Sequence, residues 1–233
     1  MVVLKFLLSL FFWSYVQLGV LIVALISLPA YLLPRHGRAF NYLLTRLLLK
    51  VLFFLCFFRV KITGLENLPQ EGRLIFIANK PDLISTFALI AYFPRRIRFA
   101  AEEAIFKKWF LGRLIAAIGC IAVVKDKQAS FQFAAAVLTS LKEAEAVLFY
   151  PANLRRWDGR ITAFMDAELK VAQLCQASLV PIVVKGTDKV IPKGSMILSP
   201  GRIQVMIKKP LGHEELADIG LVSQKLDALY KEE

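Results

Sequence analysis

An uncharged apolar run near the start of the chain constrains its fold more than any other feature. It extends from Phe6 to Leu33 without a single Asp, Glu, Lys or Arg. About 20 apolar helical residues cross the hydrocarbon core of a bilayer, so this run is long enough to do so. A cleaved signal peptide is the alternative, but the run is long for one and no small-residue cleavage site follows it. We therefore predict a membrane-anchoring helix, which either crosses the bilayer or re-enters it.

A basic and amphipathic segment follows the apolar run. Pro34–Arg38 is expected to form a turn, and a second helix is expected over Ala39–Phe58. Arg46 and Lys50 are four residues apart in it and share one helix face. A helix of this kind suits the headgroup region of a bilayer. Because basic residues prefer the cytoplasmic side of a membrane, the rest of the chain is predicted to lie on the cytoplasmic face.

The composition also indicates a membrane surface. The chain of 233 residues has 30 Lys+Arg against 18 Asp+Glu, and it is 57% hydrophobic, which excludes intrinsic disorder. Its three cysteines, Cys56, Cys120 and Cys175, are too few and too widely spaced for a disulfide scaffold, so they indicate buried thiols in a reducing compartment. No metal-ligand spacing is present, and no metal or other cofactor is expected. No nucleic-acid signature accompanies the positive charge, so a phospholipid membrane is the expected partner.

Short apolar runs alternate with helical patterns after the basic segment. Such alternation is typical of an α/β domain, a central mixed sheet covered by helices. We expect residues 59–233 to form this domain and residues 1–58 to form a hydrophobic helix pair that anchors it. The expected strands are Lys61–Pro69 with its turn, Arg73–Ala78, Arg96–Ala100, Ile121–Val124, Ala146–Tyr150, Leu179–Val184 and Arg202–Ile207. The expected helices are Asp82–Tyr92, Ile105–Ile118, Ala129–Lys142, Ala167–Cys175 and Glu214–Tyr230.

Three loops that follow strands carry polar residues, and functional loops of such folds lie at the carboxyl ends of strands. They are Asn79–Ser85, Tyr150–Arg155 and the segment around Val180–Ile182. The order and spacing of these loops, with Gly64–Pro69 before the first and Gly119-x-Ile-x-Val between the first two, carry a resemblance. The chain resembles the glycerolipid acyltransferase family, specifically the small bacterial-type 1-acylglycerol-3-phosphate acyltransferases.

The resemblance implies transfer of an acyl group from an acyl thioester, either acyl-CoA or acyl carrier protein, to lysophosphatidate. The family's first motif is Asn-His followed by four residues and an Asp. The His removes a proton from the acceptor hydroxyl, and the Asp holds the His in place. Lys80 and Ser85 stand at these two positions in this chain.

The second family motif, Phe-Pro-Glu-Gly-Thr-Arg, is taken to hold the phosphate of the acceptor. It reads Tyr-Pro-Ala-Asn-Leu-Arg here, so Ala152 and Asn153 replace the Glu and the Gly, and Arg155 is retained. The resemblance therefore leaves Arg155 and Asn79 as the expected substrate-binding residues.

These substitutions predict a loss of catalysis. A general base needs a pKa near the working pH, whereas an ordinary lysine has a pKa of about 10.4. Losing a positioned base typically costs about 10²–10⁴ in rate. An Asp also stands five positions after His213, which is the spacing of the first motif. This segment follows the last strand, however, and indicates a helix start. We expect a membrane-associated protein that is inactive and at most binds lipid or acyl groups. The alternative is an active 1-acylglycerol-3-phosphate acyltransferase in which desolvation adapts Lys80 as the base.

Overall fold

The computed structural model of the chain describes residues 2–30, 34–79, 82–107, 112, 115–116, 119–123, 127–143, 146–150, 164–192, 194–212 and 214–231. The helices are α1 Val2–Ala30, α2 Pro34–Leu55, α3 Leu83–Tyr92, α4 Glu103–Phe106, α5 Lys127–Lys142, α6 Phe164–Leu174, α7 Thr187–Val190 and α8 Ile219–Lys231. The strands are β1 Arg59–Thr63, β2 Leu74–Ala78, β3 Ile97–Glu102, β4 Ile121–Val123, β5 Ala146–Phe149, β6 Ser178–Lys185 and β7 Arg202–Ile207.

The described strands form one mixed sheet of seven, in the order β1-β7-β6-β2-β5-β3-β4. Strands β6, β2, β5, β3 and β4 are parallel, β7 is antiparallel to β6, and β1 is parallel to β7. The carboxyl ends of β2, β5 and β6 therefore meet at one edge of the sheet. The predicted α/β fold with a central mixed sheet is confirmed.

Helices cover both faces of the sheet, so successive side chains of β2 belong alternately to two cores. Phe76 and Ala78 belong to a core that also contains residues of α1, α2 and α3. Ile75 and Ile77 belong to a second core on the other face, with residues of α5, α6 and α8. A strand covered on both faces needs apolar side chains at every position, which explains the continuous apolar run of β2.

The predicted hydrophobic helix pair is present, with different bounds at the second helix. Helix α2 begins at Pro34, so Pro34–Arg38 forms its first turn and the predicted break there is wrong. Proline suits this position because the first helical N–H has no partner inside the helix. Only α1 is long and apolar enough among the described helices to cross a membrane, over Val3–Val23. Phe12 of α1 and Phe53 of α2 are fully buried in the core that these helices form with one face of the sheet.

The basic face of α2 contacts the end of α3. Arg46 donates through Nε to the carbonyl of Ala91 at 3.1 Å, and Lys50 Nζ lies 6.0 Å from the centre of the Tyr92 ring. Both partners lie in the last turn of α3, where carbonyl groups lack helical partners and positive charge is favourable. Arg46 and Lys50 therefore help to join α2 to α3, and the headgroup role expected of them stays a prediction.

The other predicted elements are present, with small shifts of their ends. The segment predicted as one helix over Glu214–Tyr230 contains a 3-10 turn at Glu215–Ala217 followed by α8. Helix α7 was not predicted, because four residues are too few for a periodic pattern. The helix predicted over Ile105–Ile118 falls largely outside the described residues, which show α4 at its start.

Candidate functional site

Asn79 follows β2 at the edge where the parallel strands end, and its side chain extends the sheet. Its Nδ2 donates to the carbonyl of Val184 at 3.1 Å, and its Oδ1 accepts from the Val184 N–H at 2.8 Å. Its own N–H donates to the carbonyl of Ile182 at 3.3 Å. Asn79 thus joins β2 to β6 beyond the last paired residue of β2. This buried position sets where the first functional loop leaves the sheet.

Asp82 caps α3 and binds a second element with its other carboxylate oxygen. Its Oδ1 accepts from the N–H of Ser85 at 2.7 Å, which satisfies a helical donor that lacks an intrahelical partner. Its Oδ2 accepts from the hydroxyl of Thr187 at 2.7 Å. Since both oxygens bind groups that the fold requires, the Asp82 carboxylate ties α3 to the start of α7.

Ser85 is fully buried at the first turn of α3. Its Oγ donates to the carbonyl of Asp82 at 2.9 Å, and the hydroxyl of Thr86 donates to the same carbonyl at 3.0 Å. The hydroxyl of Ser85 is therefore engaged within the helix start. A serine nucleophile needs an adjacent base that takes its proton, and the backbone carbonyl of Asp82 has no basicity suited to that task.

Tyr150 closes the network from the carboxyl end of β5. Its hydroxyl lies 2.9 Å from Thr86 Oγ1, and its ring stacks on Phe99 with centroids 6.3 Å apart. Burial raises the pKa of Tyr150 far above its usual value, although hydrogen bonds with the hydroxyls of Thr86 and Ser85 oppose the shift. The phenol is therefore neutral at physiological pH and can only share hydrogen bonds.

The structure brings some of the sequence-predicted site residues together. Asn79 and Ser85 lie at the same sheet edge, with the Asp82 cap between them in sequence. Lys80, Ala152, Asn153 and Arg155 lie outside the described residues, as does His213. The roles assigned to these positions stay predictions.

Sequence reasoning missed the polar network of Asp82, Thr86, Tyr150 and Thr187. The cap was detectable, because Asp82 precedes the apolar run of α3 and aspartate is a preferred N-cap. The contact with Thr187 was not, since 105 residues separate it from Asp82 and no local pattern encodes such a distance.

Comparison with known proteins agrees with this geometry. A sequence model of the family described as "Acyltransferase" matches residues 59–185. A chloroplastic 1-acyl-sn-glycerol-3-phosphate acyltransferase of Arabidopsis thaliana is 27% identical over 187 residues, which cover 79% of this chain and 52% of the relative. A chloroplastic 1-acyl-sn-glycerol-3-phosphate acyltransferase of Brassica napus is 26% identical over 197 residues, 82% of this chain and 57% of the relative. The chain spans little more than half the length of these two relatives.

A solved structure is similar along nearly the whole chain. The crystal structure of the 1-acyl-sn-glycerophosphate (LPA) acyltransferase PlsC from Thermotoga maritima superposes with a TM-score of 0.76 at 19% identity. The match covers 99% of this chain and 94% of the other. At this identity the similarity concerns the fold, including the placement of the helix pair on the sheet. Together with the sequence matches, it confirms the family resemblance predicted from the loops.

Proposed function

The chain belongs to the acyltransferase family, and on that premise we propose that it is a membrane-associated member that binds lysophospholipid or acyl groups without transferring them. One observation carries the proposal: the position where the family places the Asp of its dyad is occupied by Ser85, buried and bonded to the helix start. No carboxylate at position 85 is available to orient a base at position 80. The nearby carboxylate of Asp82 is engaged with Ser85 N–H and Thr187.

The surface of the helix pair supports the membrane association. Exposed apolar side chains recur on α2 at intervals of three or four residues, which places them on one helix face. They are Phe40, Leu43, Leu47, Val51 and Phe54, and Phe54 is 78% exposed. An apolar stripe of this length has no reason to face water, and contiguous exposed apolar surface indicates an interaction site.

A second apolar surface adjoins the first helix. Met196 and Ile197 are exposed in the loop before β7, and two hydrogen bonds fix this loop to α1. Trp13 Nε1 donates to the carbonyl of Met196 at 3.0 Å, and the N–H of Leu198 donates to Ser9 Oγ at 2.8 Å. The loop and the helix pair thus present apolar groups together, as expected of a face that enters a bilayer. The cytoplasmic orientation of the α/β domain stays a prediction from the basic residues after α1.

A second candidate function is an active 1-acylglycerol-3-phosphate acyltransferase. The names of the relatives favour it, because each is described as 1-acyl-sn-glycerol-3-phosphate acyltransferase. In this chain, Lys80 would have to act as the base. A buried lysine can have its pKa lowered by about 3–5 units, which would make it competent near neutral pH.

A restoration experiment tests the proposal against this second candidate. We expect the wild-type chain in vesicles to retain labelled lysophosphatidate or acyl-CoA without forming phosphatidate. The comparison variant carries Lys80→His, Ser85→Asp and Ala152→Glu, together with Asp82→Ser. Asp82→Ser removes a carboxylate that would repel the new Asp carboxylate at position 85. Serine preserves the N-cap of α3.

Retention of lipid by the wild type, with product formed by the variant alone, is the result that supports the proposal. A wild type that neither retains either lipid nor forms product would refute the binding function. Product formed by the wild type at the rate of the variant would instead establish the second candidate. Circular dichroism of both proteins serves as the folding control.

A further inference from the structure

A cavity lies beside the sheet edge, where β6 ends and β7 begins. Its volume is about 820 Å³, within the range of about 300–1,000 Å³ usual for small-ligand sites. Three of its wall residues are cations from different places in the chain: Lys185 at the end of β6, Lys189 in α7 and Arg202 at the start of β7. Asn79, Gln204 and Tyr230 also line the cavity.

Two glycines let the walls of this cavity approach closely. Gly186 has φ +86°, and a Cβ there would lie 2.3 Å from the carbonyl oxygen of Arg202. A Cβ on Gly201 would lie 2.8 Å from Cγ2 of Val190. Both distances are below what a side chain tolerates, so only glycine permits this approach of the turn after β6 to the start of β7. The cations are therefore held near one another by the backbone.

The charges around the cavity are mostly of one sign. Strand register places Arg59 directly opposite Arg202, and Gln204 lies between Lys61 and Lys185 across the three strands. Like charges directly opposite each other destabilise a sheet. Asp188 is the acidic residue of the cavity wall among the described residues. Among the residues that the structure describes, no carboxylate forms a salt bridge with Lys185, Lys189 or Arg202.

We propose that this cavity binds the phosphate group of a phosphate ester, either a lipid headgroup or a soluble phosphate. A guanidinium and two ammonium groups in the wall of one cavity offer the charge and the hydrogen-bond donors that a phosphate group requires. A cavity lined by one sign of charge also concentrates counter-ions of the other sign. None of the three cations belongs to the motifs that carry the family resemblance, although Asn79 of the first motif also lines the cavity. The site does not depend on the proposed function, because none of its cations stands at a dyad position.

Titration with inorganic phosphate in chloride buffer of constant ionic strength tests the site, using the full chain in neutral detergent micelles and calorimetry. We expect saturable binding that weakens about tenfold or more in Arg202→Gln and in Lys185→Gln, because each loses a charge-assisted hydrogen bond. The matched control is Lys142→Gln, which removes the same charge from α5 near the opposite edge of the sheet. It should bind phosphate like the wild type.

Vesicle flotation distinguishes the two sources of phosphate. Vesicles of phosphatidylcholine alone are compared with vesicles that also contain phosphatidic acid. Preference for phosphatidic acid that falls in Arg202→Gln and Lys185→Gln, but not in Lys142→Gln, supports the site and assigns it to headgroups. Variant-sensitive binding of inorganic phosphate without a lipid preference supports the site and assigns it to soluble esters. Absence of both, or equal losses in all three variants, would overturn the proposal. Unchanged circular dichroism excludes misfolding as the cause of any loss.

Discussion

At the scale of single residues, Asp82 links two elements near the site. It caps α3 and accepts the buried hydroxyl of Thr187, so one side chain holds two elements together. The neighbouring position 85 carries a serine that completes the helix start. A catalytic Asp at that position would have to share this small buried space with Asp82. Ser85 is thus compatible with the Asp82 cap and with the start of α3, and it offers no carboxylate to orient a base.

Replacing Asp82 should therefore affect stability. Asp82→Ala removes the N-cap, worth about 1 kcal/mol, and leaves the Thr187 hydroxyl without its acceptor, worth about 1–3 kcal/mol. We expect the free energy of unfolding to fall by about 2–4 kcal/mol, measured by denaturant titration. Asp82→Asn is the control, because asparagine also caps helices and offers Thr187 a partner. Equal losses in both variants would show that the charge, and not these hydrogen bonds, is what matters.

The Cys120 thiol lies next to the site and should be chemically inert. Burial raises its pKa to about 12, although the charge of Arg98 and a hydrogen bond from the Phe99 backbone oppose the shift. Only the thiolate reacts with alkylating agents, so in the folded protein alkylation at pH 8 should be slow and should accelerate up to about pH 12. A variant carrying Cys56→Ala and Cys175→Ala isolates this thiol.

Mass spectrometry after iodoacetamide treatment gives the alkylation rate of Cys120. The control is the same variant in denaturant, where a thiol has a pKa of about 8.5 and should react quickly. Equal rates in the folded and the unfolded protein at pH 8 would contradict the raised pKa of Cys120.

At the scale of elements, the end of β2 depends on one side chain. Asn79 satisfies both the N–H and the carbonyl of Val184, which is itself fully buried in β6. Asn79→Ala leaves two buried backbone groups without these partners, and each such group costs about 1–3 kcal/mol. We expect a loss of about 2–6 kcal/mol in unfolding free energy and faster hydrogen exchange at the Val184 amide.

The control for Asn79 is Gln224→Ala, which removes an exposed amide from α8 and should change neither quantity. An unchanged exchange rate at the Val184 amide in Asn79→Ala would contradict the claim that the Asn79 side chain extends the sheet. Because Asn79 directly precedes Lys80, the same variant also tests whether the sheet edge positions the first loop.

Strands were predictable from sequence where the two faces of the sheet made every position apolar, as in β2 and β6. Their pairing was not predictable, because the placement of β7 between β1 and β6 arises from long-range contacts. The start of α2 was placed too late because a run of Pro, Gly and Arg is typical of a turn. The structure shows instead that proline at the first helical position is compatible with a helix that continues through Gly37.

At the scale of the whole molecule, the apolar stripe of α2 should strengthen the membrane binding expected of α1. Burying one large apolar side chain contributes about 1.5–3 kcal/mol, so Leu43→Gln, Leu47→Gln and Phe54→Gln together should reduce partition into vesicles by at least about a hundredfold. Flotation with phosphatidylcholine vesicles measures this. The control carries Leu174→Gln and Leu221→Gln, exposed leucines on α6 and α8 across the sheet. A control that dissociates as readily as the stripe variant would contradict the assignment of this face.

The sequence alone indicated the family, the sheet and the apolar helix pair, because these depend on local patterns and loop order. It could not show that Arg46 bonds to the end of α3, or that Asp82 is shared between α3 and Thr187. Both contacts join residues distant in sequence, at 45 and 105 positions apart. The loss of catalysis is a prediction from single positions, and the contacts of Ser85 support it at position 85.

The central claim, that this acyltransferase fold does not transfer acyl groups, is tested most directly by one measurement. The wild-type chain in phosphatidylcholine vesicles receives lysophosphatidate and labelled acyl-CoA or acyl carrier protein, and phosphatidate is quantified by mass spectrometry. We predict no product above that of protein-free vesicles, because Ser85 offers no carboxylate to orient a base at position 80. Product formed by the wild type and abolished by Lys80→Ala would contradict the account.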